Sequence, residues 1–113
     1  VAPSALCSDS ASLGAGAQIL TRAVVHPGAV IGENTIINTG AIVEHDCVVG
    51  AHAHIAPGVI LCGGVRVDAE AFIGSGAVVL PGLRVGRKAL VAAGVVLRKD
   101  LPAGDRALPG GPR

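Results

Sequence analysis

Divided into sixes, residues 24–59 read VVHPGA, VIGENT, IINTGA, IVEHDC, VVGAHA and HIAPGV. The second position of every six is Val or Ile, and the same spacing continues in both directions without an insertion. The fifteen aliphatic anchors are Leu13, Ile19, Val25, Ile31, Ile37, Val43, Val49, Ile55, Leu61, Val67, Ile73, Val79, Val85, Val91 and Leu97. A short fixed period sustained over most of a chain is typical of a solenoid, in which each repeat stacks on its neighbours.

The other columns of the repeat indicate strands and turns. Four residues after most anchors comes a small or modest residue, usually Ala, and three residues after many anchors comes Gly. Because strand side chains alternate faces, each six supplies one large and one small inward position, followed by a tight turn. A helix has a period of 3.6 and is disfavoured by so much Gly. We therefore predict an all-β parallel β-helix of about five triangular coils over residues 13–102, in which residues eighteen apart stack.

Composition excludes several functional classes. The 113 residues are 50% hydrophobic, include one aromatic residue, Phe72, and carry a net charge of +1. A basic nucleic-acid surface, base-stacking rings and disorder are all disfavoured. No run approaches the ~20 apolar residues of a membrane span. We therefore expect neither nucleic acid nor membrane as a partner.

The three cysteines, Cys7, Cys47 and Cys62, are odd in number and lack the spacing of a metal site. We expect reduced thiols in a cytoplasmic protein. Cys47 falls in the small inward column, which predicts a packing residue and not a nucleophile.

Histidine has no role in building such a prism, yet His45, His52 and His54 lie within ten residues of one another, with His26 earlier in the chain. None of the four takes an inward column, so all should project from the surface or the corners. His45 is flanked by two carboxylates, Glu44 and Asp46. A carboxylate beside an imidazole suits a general base, although a solvated surface histidine fits the same pattern.

The stretches NTGAIVEHDC (38–47) and HIAPG (54–58) resemble one branch of the hexapeptide-repeat acyltransferases, which contains bacterial sialic acid O-acetyltransferases and nucleotide-sugar 4-amino N-acetyltransferases. The resemblance implies a left-handed helix and acetyl-CoA as co-substrate, with no metal. It also implies that His45 is the catalytic base and that Asp46 accepts a hydrogen bond from it, with Glu44 as the fallback partner.

The same resemblance implies a cofactor site. His54 matches a residue that contacts acetyl-CoA, and Gly63 matches a backbone N–H that faces the acetyl carbonyl. Ser75 and Ala93 match positions where backbone amides line the cofactor channel. Late basic residues either meet the cofactor phosphates or form a solvated face. His52 and His26 match no family role and are interpreted as surface residues.

The resemblance further implies a homotrimer with each active site between subunits, and a small sugar or nucleotide sugar as acceptor. We expect residues 1–12 to be a lead-in after an N-terminal nucleotide-sugar-binding domain that the sequence lacks. Residues 13–102 form the acyltransferase domain, and residues 103–113 form a C-terminal tail.

Three alternatives remain open at the level of sequence. One is a zinc enzyme of the γ-carbonic-anhydrase kind, with His45, His52 and His54 around a metal between subunits. The others are a non-catalytic assembly module and an O-acetyltransferase for a small molecule such as an amino acid.

Overall fold

The computed structural model describes residues 1–110 and confirms the all-β parallel β-helix. Every strand has two residues, and four residues form the turn between one strand and the next, except before the last strand, where eight residues intervene. The seventeen strands, β1 to β17 in order, are Leu6–Cys7, Ser12–Leu13, Gln18–Ile19, Val24–Val25, Val30–Ile31, Ile36–Ile37, Ile42–Val43, Val48–Val49, His54–Ile55, Ile60–Leu61, Arg66–Val67, Phe72–Ile73, Val78–Val79, Arg84–Val85, Leu90–Val91, Val96–Leu97 and Arg106–Ala107.

From β1 to β16 each strand pairs in parallel with the strand three places along the chain, and β17 pairs with β15, which produces three sheets. Sheet A contains β1, β4, β7, β10, β13 and β16; sheet B contains β2, β5, β8, β11 and β14; sheet C contains the remaining six strands. The register is eighteen residues, as in the pairing of Phe72 with His54 and Leu90. The helix has about six turns instead of the five expected, because β1 and β17 extend the coil beyond the run of anchors.

The core is the predicted pair of inward columns. Every anchor from Ile19 to Leu97 is buried. The residue four places after the anchor is also buried in each repeat from Ala23 to Ala77. Leu13 is the exception at 38% exposed, since it lies on the edge strand of sheet B with no strand beneath it. Thr35 is the one buried polar residue among those described, and its hydroxyl bonds to backbone atoms of the neighbouring coil.

The last turn leaves the eighteen-residue register. Leu101 bridges to Val85, and β17 pairs with β15 at an offset of sixteen residues. The last coil is therefore two residues shorter than the others. Within it, Asp100 Oδ1 accepts a hydrogen bond from the amide of Arg84 at 2.9 Å.

The three sheets enclose a prism about 38 Å long and 20 Å across. We call the turns between sheets A and B corner AB (residues 26–29, 44–47, 62–65 and 80–83) and those between sheets C and A corner CA (residues 20–23, 38–41, 56–59, 74–77 and 92–95). Corner BC joins the other two sheets. None of the residues 1–110 belongs to a helix long and apolar enough to cross a membrane.

Candidate functional site

The two residues predicted to be catalytic meet at corner AB. His45 Nδ1 lies 3.2 Å from Asp46 Oδ2, and both side chains are largely exposed. An Nδ1–H that donates to this carboxylate fixes the imidazole tautomer and leaves Nε2 available as a proton acceptor. Asp46 has a φ of +60°, a left-handed conformation that Asp tolerates better than most residues.

The second carboxylate beside His45 has a different partner. Glu44 Oε2 lies 3.6 Å from His26 Nε2, one coil earlier. The structure thus divides the two acids between two histidines and pairs Asp46 with His45. The sequence analysis places His26 at the surface without a family role, and the structure adds this carboxylate partner. The contact between His26 and Glu44 could have been predicted from the eighteen-residue register, because that register stacks position 26 directly against position 44.

Gly63 lies against the ring of His45, one coil later in the same column. A Cβ atom built on Gly63 would stand 2.6 Å from His45 Nε2, closer than side chains approach one another. The carbonyl oxygen of His45 accepts a hydrogen bond from the Gly64 amide at 3.0 Å, which ties the two coils together here. Glycine at position 63 therefore gives the imidazole its space.

The amides of Gly63, Ser75 and Ala93 share one property. Each is the second residue after an anchor, and within residues 1–110 none of these three N–H groups donates a hydrogen bond. Proline occupies the same repeat position at 27, 57 and 81, as expected where the N–H has no partner in the fold. Such outward amides are suited to an oxygen acceptor on a ligand, which is the role that the family resemblance implies.

His54 lies on the outer side of sheet C, where it is half-buried. Its Nε2 is 3.3 Å from Asn38 Nδ2, and its ring meets Phe72 edge-on with centroids 5.2 Å apart. Because an amide nitrogen only donates, Nε2 accepts this bond and the proton resides on Nδ1. Asn38, to which the sequence analysis gave no role, thereby sets the tautomer of His54.

The predicted site residues form two separate groups. His45, Asp46 and Gly63 lie at corner AB, whereas His54 is on sheet C, and Ser75 and Ala93 are exposed at the adjoining corner CA. Sheet A lies between the two groups, in a prism about 20 Å across. One chain therefore brings the predicted base together with Gly63 but not with His54, Ser75 and Ala93.

The late basic residues are largely engaged with carboxylates. Arg84 contacts Asp68 at 2.9 Å, while Arg87 and Lys88 contact Glu70 at 3.2 Å and 3.7 Å. The hydrogen bond from Arg87 lowers the pKa of Glu70, with Lys88 adding to the effect. For these three basic residues the structure favours a solvated, ion-paired face.

Cys47 is fully buried, with its thiol 3.1 Å from the carbonyl oxygen of Cys62. Burial raises the pKa of this thiol by disfavouring the thiolate. All three cysteines are free thiols. An inward, protonated thiol packs the core and is a poor nucleophile, as predicted.

Within the described residues, no three side chains among His, Cys, Asp and Glu converge as a metal site would require. In a single chain the three histidines of the zinc alternative are divided among corner AB, corner BC and sheet C.

Comparison with known protein families finds two hexapeptide sequence profiles. The profile of bacterial transferase hexapeptides (six repeats) matches residues 10–45 and 28–63, and the profile described as the hexapeptide repeat of succinyl-transferase matches residues 64–99. Together they account for residues 10–99. Comparison with curated protein sequences gives no significant match.

Solved structures give closer parallels. The acetyltransferase domain of PglB from Neisseria gonorrhoeae, in complex with acetyl coenzyme A, is 39% identical with a TM-score of 0.91, covering 92% of this chain and 51% of that one. PerB from Caulobacter crescentus, in complex with CoA and GDP-perosamine, is 44% identical with a TM-score of 0.89, covering 89% of this chain and 49% of that one. The chain thus spans about half the length of these relatives.

Proposed function

Because the chain belongs to the hexapeptide-repeat transferases, we propose that it is the acetyl-CoA-dependent acyltransferase unit of an enzyme that acetylates an amino or hydroxyl group of a nucleotide sugar. The observation that carries the proposal is the contact between His45 Nδ1 and Asp46 at corner AB, which leaves Nε2 beside Gly63. The relatives from Neisseria and Caulobacter, with acetyl-CoA or with CoA and GDP-perosamine bound, support this substrate class.

The proposed chemistry is direct transfer within a ternary complex. His45 Nε2 removes a proton from the acceptor amine or hydroxyl as the acceptor nitrogen or oxygen attacks the thioester carbonyl carbon of acetyl-CoA. The new bond to the acetyl carbon forms, and the tetrahedral oxyanion accepts a hydrogen bond from the Gly63 amide. Collapse breaks the carbon–sulfur bond, and the imidazolium returns its proton to the departing thiolate. Asp46 holds the ring in the Nδ1–H form throughout, and neither metal nor covalent intermediate is involved.

We further propose that two subunits build each active site. In a cyclic homotrimer, corner AB of one copy faces sheet C and corner CA of the next, which unites the two groups of site residues. The outer side of sheet A supports an interface, since its outward residues are all aliphatic: Leu6, Val24, Ile42, Ile60, Val78 and Val96. Acetyl-CoA as co-substrate and three reduced thiols favour the cytoplasm as its location.

The first experiment is calorimetric titration of acetyl-CoA into the 113-residue chain, with a chelator present. We expect saturable binding with one site per chain, weakened in a His54→Ala variant. His52→Ala is the matched control, because His52 lies at corner BC outside the proposed cofactor site. The absence of binding in a trimeric sample, or equal weakening in both variants, would contradict the proposed cofactor site.

A second experiment tests the acceptor. GDP-perosamine, the ligand of the Caulobacter relative, is supplied with acetyl-CoA, and free CoA thiol is measured. Thiol release that depends on both the nucleotide sugar and His45 supports acetyl transfer. Release that persists in His45→Ala would contradict the proposed base.

A further inference from the structure

Asp46 occupies a corner position that is glycine in the coil before it and in the two coils after it. Positions 28, 46, 64 and 82 stack in one column of corner AB, and Gly28, Gly64 and Gly82 have φ values between +70° and +76°. Asp46 adopts the same left-handed conformation at +60° and is the one of these four residues with a Cβ atom. One coil before Gly28, the same column contains Ser10.

The carboxylate of Asp46 leans toward the coil before it. A Cβ atom built on Gly28 would overlap Asp46 Oδ1, whereas a Cβ atom on Gly64 or Gly82 would meet no atom within 4 Å. The two turns are held together by the Asp46 amide, which donates to the carbonyl oxygen of Pro27 at 3.1 Å. The Gly28 amide in turn donates to Ser10 Oγ at 3.1 Å, which holds Gly28 against the coil before it.

From this geometry we infer that Gly28 is a positioning residue for the pair formed by His45 and Asp46. Its missing Cβ leaves the space in which one oxygen of Asp46 lies, and this placement allows the other oxygen, Oδ2, to reach His45 Nδ1. Gly28 touches neither substrate nor the reacting atoms, and it acts on His45 only through Asp46. The inference rests on the proposed function for its catalytic meaning, but the geometric claim is testable without any substrate.

Substitutions at two other glycines serve as controls, because they distinguish the positioning role from the backbone strain of Ala in a left-handed turn. Gly82→Ala places Ala at a φ of +73° with nothing in its way, so it carries the backbone strain alone. Gly16→Ala carries the same strain and displaces the side chain of Asn34, whose Oδ1 lies over Gly16 as Asp46 Oδ1 lies over Gly28. Only Gly28→Ala combines strain with displacement of a carboxylate bound to histidine.

The test measures the imidazole tautomer of His45 in the uniformly ¹⁵N-labelled 113-residue chain, from long-range ¹H–¹⁵N couplings at a pH where the ring is neutral. The His45 signals are assigned by their loss in His45→Gln. We expect the Nδ1–H form to predominate in the parent chain. Gly28→Ala and Asp46→Ala should both shift the population toward the Nε2–H form of a free imidazole, while Gly82→Ala and Gly16→Ala should leave it unchanged.

Asp46→Ala also provides the background for a coupling test. Adding Gly28→Ala to Asp46→Ala should produce no further change in the tautomer, because the group that Gly28 positions is gone. The inference is overturned if Gly28→Ala retains the parent tautomer, if Gly82→Ala shifts it equally, or if the parent His45 is already in the free-imidazole form. Thermal denaturation checks that all variants are folded. Since no turnover is measured, a failed acetyl-transfer assay does not affect this result.

Discussion

The imidazole of His45 lies directly against Gly63, with Nε2, Cε1 and Cδ2 all within 3.3 Å of the point where a Cβ atom at Gly63 would stand. Gly63 does not have a left-handed φ, so its backbone accepts other residues without strain. The requirement for glycine is therefore steric, and it comes from the side chain of the proposed catalytic base. This ring is the end of an exposed side chain that is free to rotate away.

Gly63→Ala should consequently reduce activity much more than stability. We expect a displacement of the ring to lower kcat by about 10- to 100-fold, with the free energy of unfolding changed by less than about 1 kcal/mol. The measurements are CoA release in the acetyl-transfer assay and urea denaturation.

Gly50→Ala is the matched contrast. A Cβ atom on Gly50 would stand 2.6 Å from the backbone nitrogen of Ala69, where no side chain can yield. Here we expect a loss of stability of roughly 1–3 kcal/mol or more. Equal destabilisation by Gly63→Ala and Gly50→Ala would show that the His45 ring is held rigidly and that our account of Gly63 is wrong.

The division of acids between two histidines gives a second prediction. Asp46→Asn removes the charge next to His45 and should lower kcat by about tenfold or more. Glu44→Gln alters the partner of His26 and should lower kcat by less than about threefold. The two carboxamide variants are isosteric with the acids that they replace. A larger loss in Glu44→Gln would identify Glu44 as the functional partner of His45.

Much of this structure is predictable from the sequence because a β-helix obeys a local rule. Each anchor from Ile19 to Leu97 is inward for the same reason, namely that strand side chains alternate and successive coils stack in register. The sequence predicts one coil too few because β1 and β17 do not carry the repeat clearly. β1 has Cys7 at the anchor position, and β17 follows a coil shortened by two residues.

The site was predictable only in part, because several of its contacts run between coils. The sequence places Glu44 and Asp46 on either side of His45, and adjacency alone does not distinguish them. The distinction comes from His26, which draws Glu44 toward the preceding coil. The roles of Gly28 and Asn38 depend on how far a side chain leans, and no repeat period encodes that.

Thr35 gives a prediction about stability. Its hydroxyl donates to the carbonyl oxygen of Gly50 at 2.6 Å and accepts from the amide of Ala53 at 3.2 Å, in a fully buried position. Thr35→Val keeps the shape but leaves both backbone groups unpaired, which should cost about 1–3 kcal/mol for each. Thr35→Ser keeps both bonds and loses one methyl group, worth about 1 kcal/mol. Urea denaturation should give a lower free energy of unfolding for Thr35→Val than for Thr35→Ser. The opposite order would mean that water replaces the lost hydrogen bonds.

Cys47 gives a prediction about reactivity. Because burial raises the pKa of its thiol, Cys47 should not react with a thiol-specific reagent in the folded chain. Cys7 and Cys62 are only half-buried and should react first. Cys47 should become reactive on unfolding in urea, and Cys47→Ala should retain acetyl transfer. Rapid labelling of Cys47 in the folded chain, with loss of activity, would favour a covalent mechanism.

The separation of His45 from His54 by sheet A predicts complementation between inactive subunits. His45→Ala and His54→Ala chains are each expected to be defective alone, because every site then lacks one of its two histidines. In mixed trimers made by co-expression, an interface is intact when the wild-type His45 of one chain meets the wild-type His54 of its neighbour. Random assembly in equal amounts gives about a quarter of the sites this arrangement, so about a quarter of parent activity should return. If both histidines of a site came from one chain, every site in the mixture would remain defective, and no activity above that of the separate variants would appear.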